Sequence, residues 1–173
     1  MITLLPAADR VAVPWKNGGG ITREVAVFPP GAGMDAFDWR VSMAEVRDSG
    51  PFSPFSGIDR NLTVLEGRLR LEMGGETLVL EPGEKLAFAG DVPVHATPLR
   101  PVVDLNVMTR RSHASAQVTS ISALATVSNG LLIVLSPQVV AGFALAPFDA
   151  LRIRDETISA HGLWVEFKEV MAD

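Results

Sequence analysis

The sequence predicts an all-β protein built as a sandwich or a barrel. Short apolar runs rich in β-branched residues recur along the 173 residues, and 15 glycines and 12 prolines separate them. Breakers at this spacing leave little room for long helices, whereas many short strands with turns between them are typical of sandwiches and barrels. The clearest unit is RLRLEMGGETLVLEP, in which two alternating runs meet at Gly74-Gly75, as in a β-hairpin.

The individual strands follow from the same apolar runs, taken in chain order. We expect strands at residues 2–5, 21–28, 39–46, 62–65, 69–73, 77–80, 85–89, 102–108, 131–135, 150–153 and 163–170. Residues 112–118 form the one segment that suggests a helical turn.

A weak internal repeat suggests two β lobes. Residues 61–91 contain an apolar strand, a turn, a second strand, a proline two residues after a leucine, and a last strand ending in aspartate. Residues 130–155 repeat this order. We therefore expect an N-terminal barrel with a ligand pocket over residues 1–112. A second, reduced β unit would cover 113–173, packed closely and sharing strands from the N-terminus. The alternative is that strands of any β-sandwich resemble one another.

The composition excludes several classes of function. A net charge of −5 argues against binding to nucleic acid or to an anionic membrane, because both recruit clustered Lys and Arg. The absence of cysteine excludes disulfides and thiolate chemistry. The start MITLLPAADR lacks the pattern of a signal peptide, and no apolar run reaches the length of roughly 18 residues that spans a bilayer. We expect a cytoplasmic protein.

The stretch VPWKNGGGITREVAVF, residues 13–28, resembles a phosphate-binding loop only superficially. A P-loop places its lysine after the glycines and continues into a helix. Here Lys16 precedes the glycines, and ITREVAVF alternates as a strand does. The glycines are better explained as a tight loop that leads into a strand.

Three strands carry polar residues on one face. Arg23 shares its parity with Ile21, Val25 and Val27, and the strand at 102–108 presents Asp104, Asn106 and Met108 together. The strand at 39–46 presents Arg40, Ser42 and Ala44. These faces fit a polar barrel interior, and the alternative for each strand is a solvated surface.

A buried arginine requires a carboxylate partner or an anionic ligand. The hypothesis is that Arg23 lies inside the barrel and pairs with Asp104 or Asp59. Glu24, on the opposite parity, is the weaker candidate partner.

The blocks PWKNGGGITREVA, FDWRVSMAEVRDSGPFSPFSGIDRNLTVLEG and DLNVMTRR together resemble the HutD/Ves family. The stretch VLEGRLRLEMGGETLVLEPGEKLAFAGDVPVHA is similar to the central hairpin and closing strands of a cupin. The resemblance implies a bicupin of cupin-type β-barrels or jelly rolls, with a smaller, degenerate second barrel. It further implies a small-molecule-binding protein associated with histidine utilisation, suspected to be regulatory. It also implies that Arg60 lies at the pocket.

Comparison with metal-binding cupins argues against a metal. His95 falls where a late histidine ligand would lie, but the earlier stretch PFSPFSGIDRN has no histidine. A catalytic metal site normally needs about three protein ligands. We therefore expect no metal and no cofactor, and interpret His95 as a hydrogen-bonded residue near the barrel rim.

Two functional hypotheses follow. The first is a metal-free module that binds a small anionic metabolite such as formylglutamate or urocanate. The predicted ligand-binding residues are Trp15, Lys16, Asn17, Arg23, Glu24, Arg40, Ser42, Arg60, Asp104, Asn106 and Met108. The second is a metal-independent isomerase or hydrolase with Glu24 or Asp104 as base, assisted by Lys16 or His95. A purely structural interaction protein is a weaker third hypothesis, and the sequence leaves a homodimer open.

Overall fold

The fold is all-β and of the cupin type, which confirms the predicted fold class. The computed structural model describes residues 1–171, and no α-helix occurs among them. A single turn of 3₁₀-helix covers Ala7–Asp9. In the described residues no helix has the length and apolar character needed to cross a membrane.

The strands are numbered in chain order. They are β1 (Ile2–Leu5), β2 (Ala12–Pro14), β3 (Gly20–Phe28), β4 (Trp39–Val46), β5 (Gly50–Pro51), β6 (Ile58–Met73), β7 (Glu76–Leu80), β8 (Lys85–Ala89), β9 (Val94–Arg110), β10 (Ala114–Ile121), β11 (Leu124–Val134), β12 (Gln138–Val140), β13 (Phe143–Leu145), β14 (Ala150–Ser159) and β15 (Gly162–Glu169).

The chain forms two compact units. The larger comprises Val11–Ala114 and is joined by Val170, whose amide donates to the carbonyl oxygen of His113. The smaller combines Met1–Arg10 with Ser115–Glu169. The sequence predicted a boundary between residues 112 and 113. In the structure the change of unit falls after Ala114, and the first ten residues belong with the C-terminal part of the chain.

In the larger unit, one sheet follows the order β2-β3-β4-β9-β6-β7. β8 pairs with the first half of β6, β7 pairs with its second half, and β5 pairs with β9. The predicted hairpin is confirmed: β6 and β7 meet at Gly74 and Gly75, which both have positive φ angles, as a two-residue hairpin turn requires.

The long strands β6 and β9 remain paired through a bend. Their register shifts repeatedly between Val64 and Leu69, as in successive β-bulges. Gly67 lies within this irregular stretch with φ +85°, and a Cβ placed on it would come within 2.1 Å of the carbonyl oxygen of Pro101. Glycine is therefore required here, both for the φ angle and for the close approach of the two backbones.

The bend lets one strand contribute twice to the core. Leu62 and Val64 precede the bend, Leu69 and Leu71 follow it, and all four are buried in the same apolar cluster. The two predicted strands at 62–65 and 69–73 are therefore parts of the single strand β6. The buried interior of the larger unit therefore contains side chains from both ends of β6.

The smaller unit has a five-stranded sheet in the order β1-β14-β11-β15-β10 and a separate hairpin, β12–β13. Its core cluster includes Leu132, Leu151, Ile153 and Trp164, all buried. The predicted helical turn at residues 112–118 is wrong, because β10 begins at Ala114. That segment has weak local preferences, and pairing at a sheet edge decides its conformation.

Candidate functional site

The register of β4, β9 and β6 brings predicted polar residues together. Cross-strand partners present their side chains on the same face of a sheet. Reading across β4, β9 and β6, the three rows are Ala44–Asp104–Val64, Ser42–Asn106–Leu62 and Arg40–Met108–Arg60. Leu62 and Val64 belong to the core cluster of the larger unit. This polar face is therefore directed into the core, in agreement with the polar interior predicted for residues 40–44 and 104–108.

Arg60 is the central cation of this face. Its side chain is only 6% exposed, and its Nε and Nη2 donate to Asn106 Oδ1 at 3.3 and 2.8 Å. The guanidinium carbon lies 5.0, 5.5 and 5.2 Å from the ring centres of Phe52, Phe55 and Phe88. These distances are those of cation–π contacts. Burial lowers the pKa of Arg60 to about 10, so it remains a cation at neutral pH.

Asp104 continues the network behind Asn106. Its Oδ1 accepts a hydrogen bond of 3.2 Å from Asn106 Nδ2, and its Oδ2 has no hydrogen-bond partner among the described residues. The side chain is completely buried. Burial raises the pKa of Asp104 to about 7, while the hydrogen bond from Asn106 and the charge of Arg60 act in the opposite direction. Arg60, Asn106 and Asp104 thus form one buried network, named here the Arg60–Asn106–Asp104 network.

The remaining residues of the polar face flank this network. Ser42 is 3% exposed and lies opposite Asn106 and Glu24 in the ladder. Arg40 Nε donates to Glu24 Oε2 at 2.9 Å. Met108 is buried and packs in an apolar cluster beside the sheet. Arg40 and Glu24 therefore neutralise one another on this face.

Arg23 does not lie inside the barrel, and the predicted pairing with Asp104 or Asp59 is wrong. Arg23 pairs with Glu45, and its side chain is 35% exposed. It lies opposite Met43, on the face of the sheet away from Asp104. A β-bulge between Glu24 and Ala26 moves the residues after it to the other face, so the side chains of residues 21–27 do not alternate without interruption. Arg23 and Val27 consequently do not share a face.

The loop at residues 13–20 supplies an aromatic side chain to the larger unit. Trp15 is half-buried, donates through Nε1 to Thr22 Oγ1 at 2.7 Å, and meets Phe52 edge to face at 6.4 Å. A Cβ on Gly20 would lie 2.9 Å from the Trp15 ring, so glycine at this position makes room for the indole. Lys16 and Asn17 are exposed, and Asn17 Oδ1 accepts from the Gly19 amide.

A surface cleft of about 550 Å³ lies next to the network without including it. Its lining comes from β5 and the following loop, the β6–β7 turn and the start of β9. Phe52 lines the cleft, and its ring also contacts the buried guanidinium of Arg60. His95 lines the same cleft, and its Nε2 lies 3.1 Å from Ser49 Oγ.

Sequence reasoning missed the three aromatic rings around Arg60. Phe52 and Phe55 stand in PFSPFSG just before β6, and Phe88 lies opposite Arg60 in β8. The available signal was a pair of phenylalanines, three residues apart, just before a strand that carries a buried arginine. The contact of Phe88 with Arg60 depends on the β6–β8 register, which the sequence alone does not specify.

Metal-ligating residues do not cluster in the described part of the chain. Among residues 1–171, no group of three or more His, Cys, Asp or Glu side chains is arranged to hold a metal ion. Arg60, Asn106 and Asp104 are instead linked to one another by hydrogen bonds in the Arg60–Asn106–Asp104 network. The chemistry this arrangement offers is charge-assisted hydrogen bonding and proton exchange at a buried carboxyl.

Comparison with known sequences gives a family match over most of the chain. The model of the HutD family matches residues 7–165. An uncharacterized 21.2 kDa protein in the hutC 3′ region of Pseudomonas putida is 43% identical over 95 residues, which cover 54% of this chain and 50% of that protein. Protein Ves of Citrobacter koseri is 44% identical over 108 residues, covering 60% of this chain and 56% of the relative. The chain thus matches about half the length of these curated relatives.

Comparison with solved structures extends over the whole chain. HutD from Pseudomonas fluorescens SBW25, solved in a formate condition, superposes with a TM-score of 0.88 at 29% identity, covering 99% of this chain and all of that one. A conserved protein of unknown function from Pseudomonas aeruginosa PAO1 gives a TM-score of 0.80 at 33% identity, covering 97% and 99%. Protein Ylba from E. coli, at 11% identity and a TM-score of 0.71, shares the fold alone.

Proposed function

The chain belongs to the HutD family, and from this membership and the buried network at Arg60 we propose that the larger unit binds a small carboxylated metabolite without a metal. The role we propose for this binding is regulation or sensing in histidine utilisation, in the cytoplasm. A ligand resembling formylglutamate or urocanate fits the charge of the site and the context that the family implies.

The observation that carries the proposal is the state of Arg60. Its Nε and Nη2, which together form the fork that grips a carboxylate, are both directed at the neutral Oδ1 of Asn106. The nearest buried carboxyl group, Asp104, contacts Asn106 and not Arg60. Burying a charged guanidinium in apolar surroundings, with only an amide as its hydrogen-bond partner, is costly. An anion bound to the guanidinium would offset this cost, so Arg60 is a favourable site for an anion.

The surroundings of Arg60 support a ligand with an apolar or planar part. Three phenylalanine rings contact the guanidinium. The ring of Phe52 is shared with the open cleft, which gives a path toward the buried charge. Few polar groups within largely aromatic walls are typical of small-molecule sites. Movement of the Phe52 side chain would join the cleft to Arg60.

One relative supports the context of the proposal, and another supports the class of ligand. The Pseudomonas putida relative is described by its position in the hutC 3′ region. The HutD structure from Pseudomonas fluorescens was obtained in a formate condition, and formate is the smallest carboxylate.

The test is a thermal-shift screen of histidine-breakdown metabolites, followed by calorimetry on each compound that raises the melting temperature. We expect at least one carboxylate to bind the parent protein. Arg60→Lys should weaken that binding at least tenfold, because an ammonium keeps the charge and loses the fork. Arg111→Lys is the matched control, since Arg111 is exposed and pairs with Asp59 and Asp91. Equal binding by the parent and Arg60→Lys would contradict the proposal.

A metal-independent enzyme is the second candidate, and one observation favours it. A carboxyl with a pKa of about 7, as Asp104 has, suits a general base at neutral pH. Glu24 is paired with Arg40, Lys16 is exposed, and His95 bonds to Ser49, so the other residues of that hypothesis do not join Asp104. Incubation of each bound compound with the protein and analysis of the products distinguishes the two: an unchanged compound supports the binding module.

A further inference from the structure

Asp104 has a feature that carboxylate binding at Arg60 alone does not require. Its carboxyl group is completely buried, one oxygen is held by Asn106, and the other lacks a hydrogen-bond partner among the described residues. An ionised carboxylate in such surroundings is costly unless a cation compensates it. A proton on the carboxyl group removes that cost.

The charged groups on the same face leave Arg60 as the main counter-charge for Asp104. Ala44 and Val64 flank Asp104 in the ladder, on β4 and β6. The other charged groups that the ladder places on this face of the described strands are Arg40, Glu24 and Arg110. Arg40 and Glu24 are bonded to each other at 2.9 Å. Arg110 lies opposite Ile58 near the end of β9 and donates to the backbone carbonyl oxygens of Phe37 and Asp35. The charge of Arg60 is the one that acts on the ionisation of Asp104, and it acts across Asn106.

The charge balance changes when an anion arrives. With Arg60 charged and Asp104 ionised, the network is neutral. A carboxylate bound to Arg60 would then leave one uncompensated negative charge in a region of low dielectric, where charges interact strongly. Uptake of one proton by Asp104 restores neutrality. Binding of the anion and binding of the proton therefore favour each other, and this coupling is reciprocal.

We propose that Asp104 takes up a proton when a carboxylate binds to Arg60, so that the site binds the two together and releases them together. This inference rests on the proposed carboxylate-binding function and deepens it, because it names Asp104 as the residue that sets how affinity depends on pH. Asn106 is the link, since it bonds to Arg60 through its oxygen and to Asp104 through its nitrogen.

The position of the titration supports the coupling. Burial raises the pKa of Asp104 to about 7 in the ligand-free protein, so the carboxyl is largely protonated at pH 6 and largely ionised at pH 8. A bound carboxylate raises this pKa further, by the reasoning above. The dissociation constant should consequently be about tenfold larger at pH 8 than at pH 6.

The experiment is isothermal titration calorimetry with N-formyl-L-glutamate, urocanate and formate at pH 6 and pH 8. Buffers of different ionisation enthalpy report the number of protons taken up. We expect nearly one proton per bound carboxylate at pH 8 and close to none at pH 6. Asp104→Asn should bind with no proton uptake, and its affinity should change less than twofold between the two pH values. Asp59→Asn, which replaces an exposed carboxylate on β6 next to Arg60 in the chain, should behave as the parent does.

The outcomes separate this inference from the proposed function. A carboxylate that binds the parent without proton uptake at pH 8 overturns the inference and leaves the binding function intact. If none of the three probes binds at either pH, both are overturned. If Asp104→Asn does not fold, carbon-detected NMR titration of the Asp104 carboxyl in the parent replaces it. Its titration midpoint should rise when formate is added, and a fixed midpoint under saturating formate contradicts the coupling.

Discussion

Arg23 and Arg60 differ in what surrounds the guanidinium. Arg23 meets Glu45 at a site that is one-third exposed, so water screens the pair. Arg60 is buried among three aromatic rings and bonds to a neutral amide. The sequence presents both as arginines in or beside a strand of alternating pattern. Strand register and a β-bulge decide which of them enters the core.

We expect Arg60→Ala and Arg23→Ala to differ in their effect on stability. Loss of Arg60 removes the cation that faces Asp104 and the contacts with the aromatic rings, which should lower the free energy of unfolding by about 3 kcal/mol. Loss of Arg23 removes a partly exposed ion pair and should cost about 0.5 kcal/mol. Urea unfolding of both variants beside the parent measures the difference. Equal losses would show that Arg60 is no more buried in solution than Arg23.

Asp104→Asn should change how stability depends on pH. The folded protein raises the pKa of Asp104 from 3.8 to about 7, so folding favours the protonated form. The stabilisation from this group is complete below about pH 4 and is lost as the pH rises through 7. Between pH 5 and pH 8 the parent should therefore lose on the order of 2 kcal/mol relative to the Asn variant.

Urea unfolding at the two pH values measures this relative loss. Groups whose pKa is lowered in the folded protein, such as Glu45 and Asp91, stabilise it as the pH rises. Both proteins contain these groups, so their effect on the free energy of unfolding cancels in the comparison. Asp59→Asn is the control, because that carboxylate is exposed. Parallel pH profiles for the parent and Asp104→Asn would show that Asp104 is already ionised at pH 5.

At the scale of the element, bulges determine which side chains reach the core. In β3, one bulge places Arg23 and Val27 on different faces. In β6, consecutive register shifts let Leu62 and Leu71 pack in one cluster although the strand bends between them. Successive side chains alternate between the two faces of a strand only between bulges. The parity of a residue therefore predicts its face only within such an uninterrupted stretch.

Gly67→Ala and Gly75→Ala form a matched pair that tests the bend in β6. Both glycines have positive φ angles, +85° and +81°, so alanine is strained at either position. At Gly75 a Cβ meets nothing within 4 Å, and we expect a cost of about 1 kcal/mol. At Gly67 it would lie 2.1 Å from the carbonyl oxygen of Pro101, and we expect an additional loss of at least 2 kcal/mol. Thermal unfolding of the two variants measures the difference, and equal melting temperatures would contradict the assigned bulge.

Much of the strand arrangement could be predicted because breakers and apolar runs specify it locally. The strands β1, β4 and β8 begin and end where the sequence predicts, and the hairpin at Gly74 was recognisable from its turn. The short strands β2, β5, β12 and β13 carry too few residues to show a period, and they were not predicted. The joining of two predicted strands into β6 depends on long-range pairing with β9.

The site was predictable where neighbouring strands keep their register. The faces of residues 40–44 and 104–108 were assigned correctly by parity, and the ladder brings them together. Lys16 and Asn17 lie in an exposed turn instead, and Glu45 was not considered as a partner of Arg23. The contact of Phe88 in β8 with Arg60 in β6 joins segments distant in sequence and was beyond a local pattern.

At the scale of the molecule, we expect the purified protein to contain no stoichiometric transition metal. The cupin-type barrel lacks a histidine set before β6, and His95 bonds to Ser49. Elemental analysis after exchange into metal-free buffer measures the content, with His95→Ala as the comparison. About one equivalent of metal per chain, lost in His95→Ala, would overturn this prediction and reopen metal-dependent chemistry.

The pairing of β1 with β14 has a consequence for the order in which the newly made chain acquires structure. Ile2 lies opposite Ile153, so the ribosome must add about 150 residues before the partner of β1 exists. At roughly 5–20 residues per second, this takes on the order of 8–30 s. All strands of the larger unit are complete well before that, so it can fold first while β1 waits as an unpaired, apolar nascent segment. During that interval β1 is a natural target for chaperones and for pairing with another nascent chain.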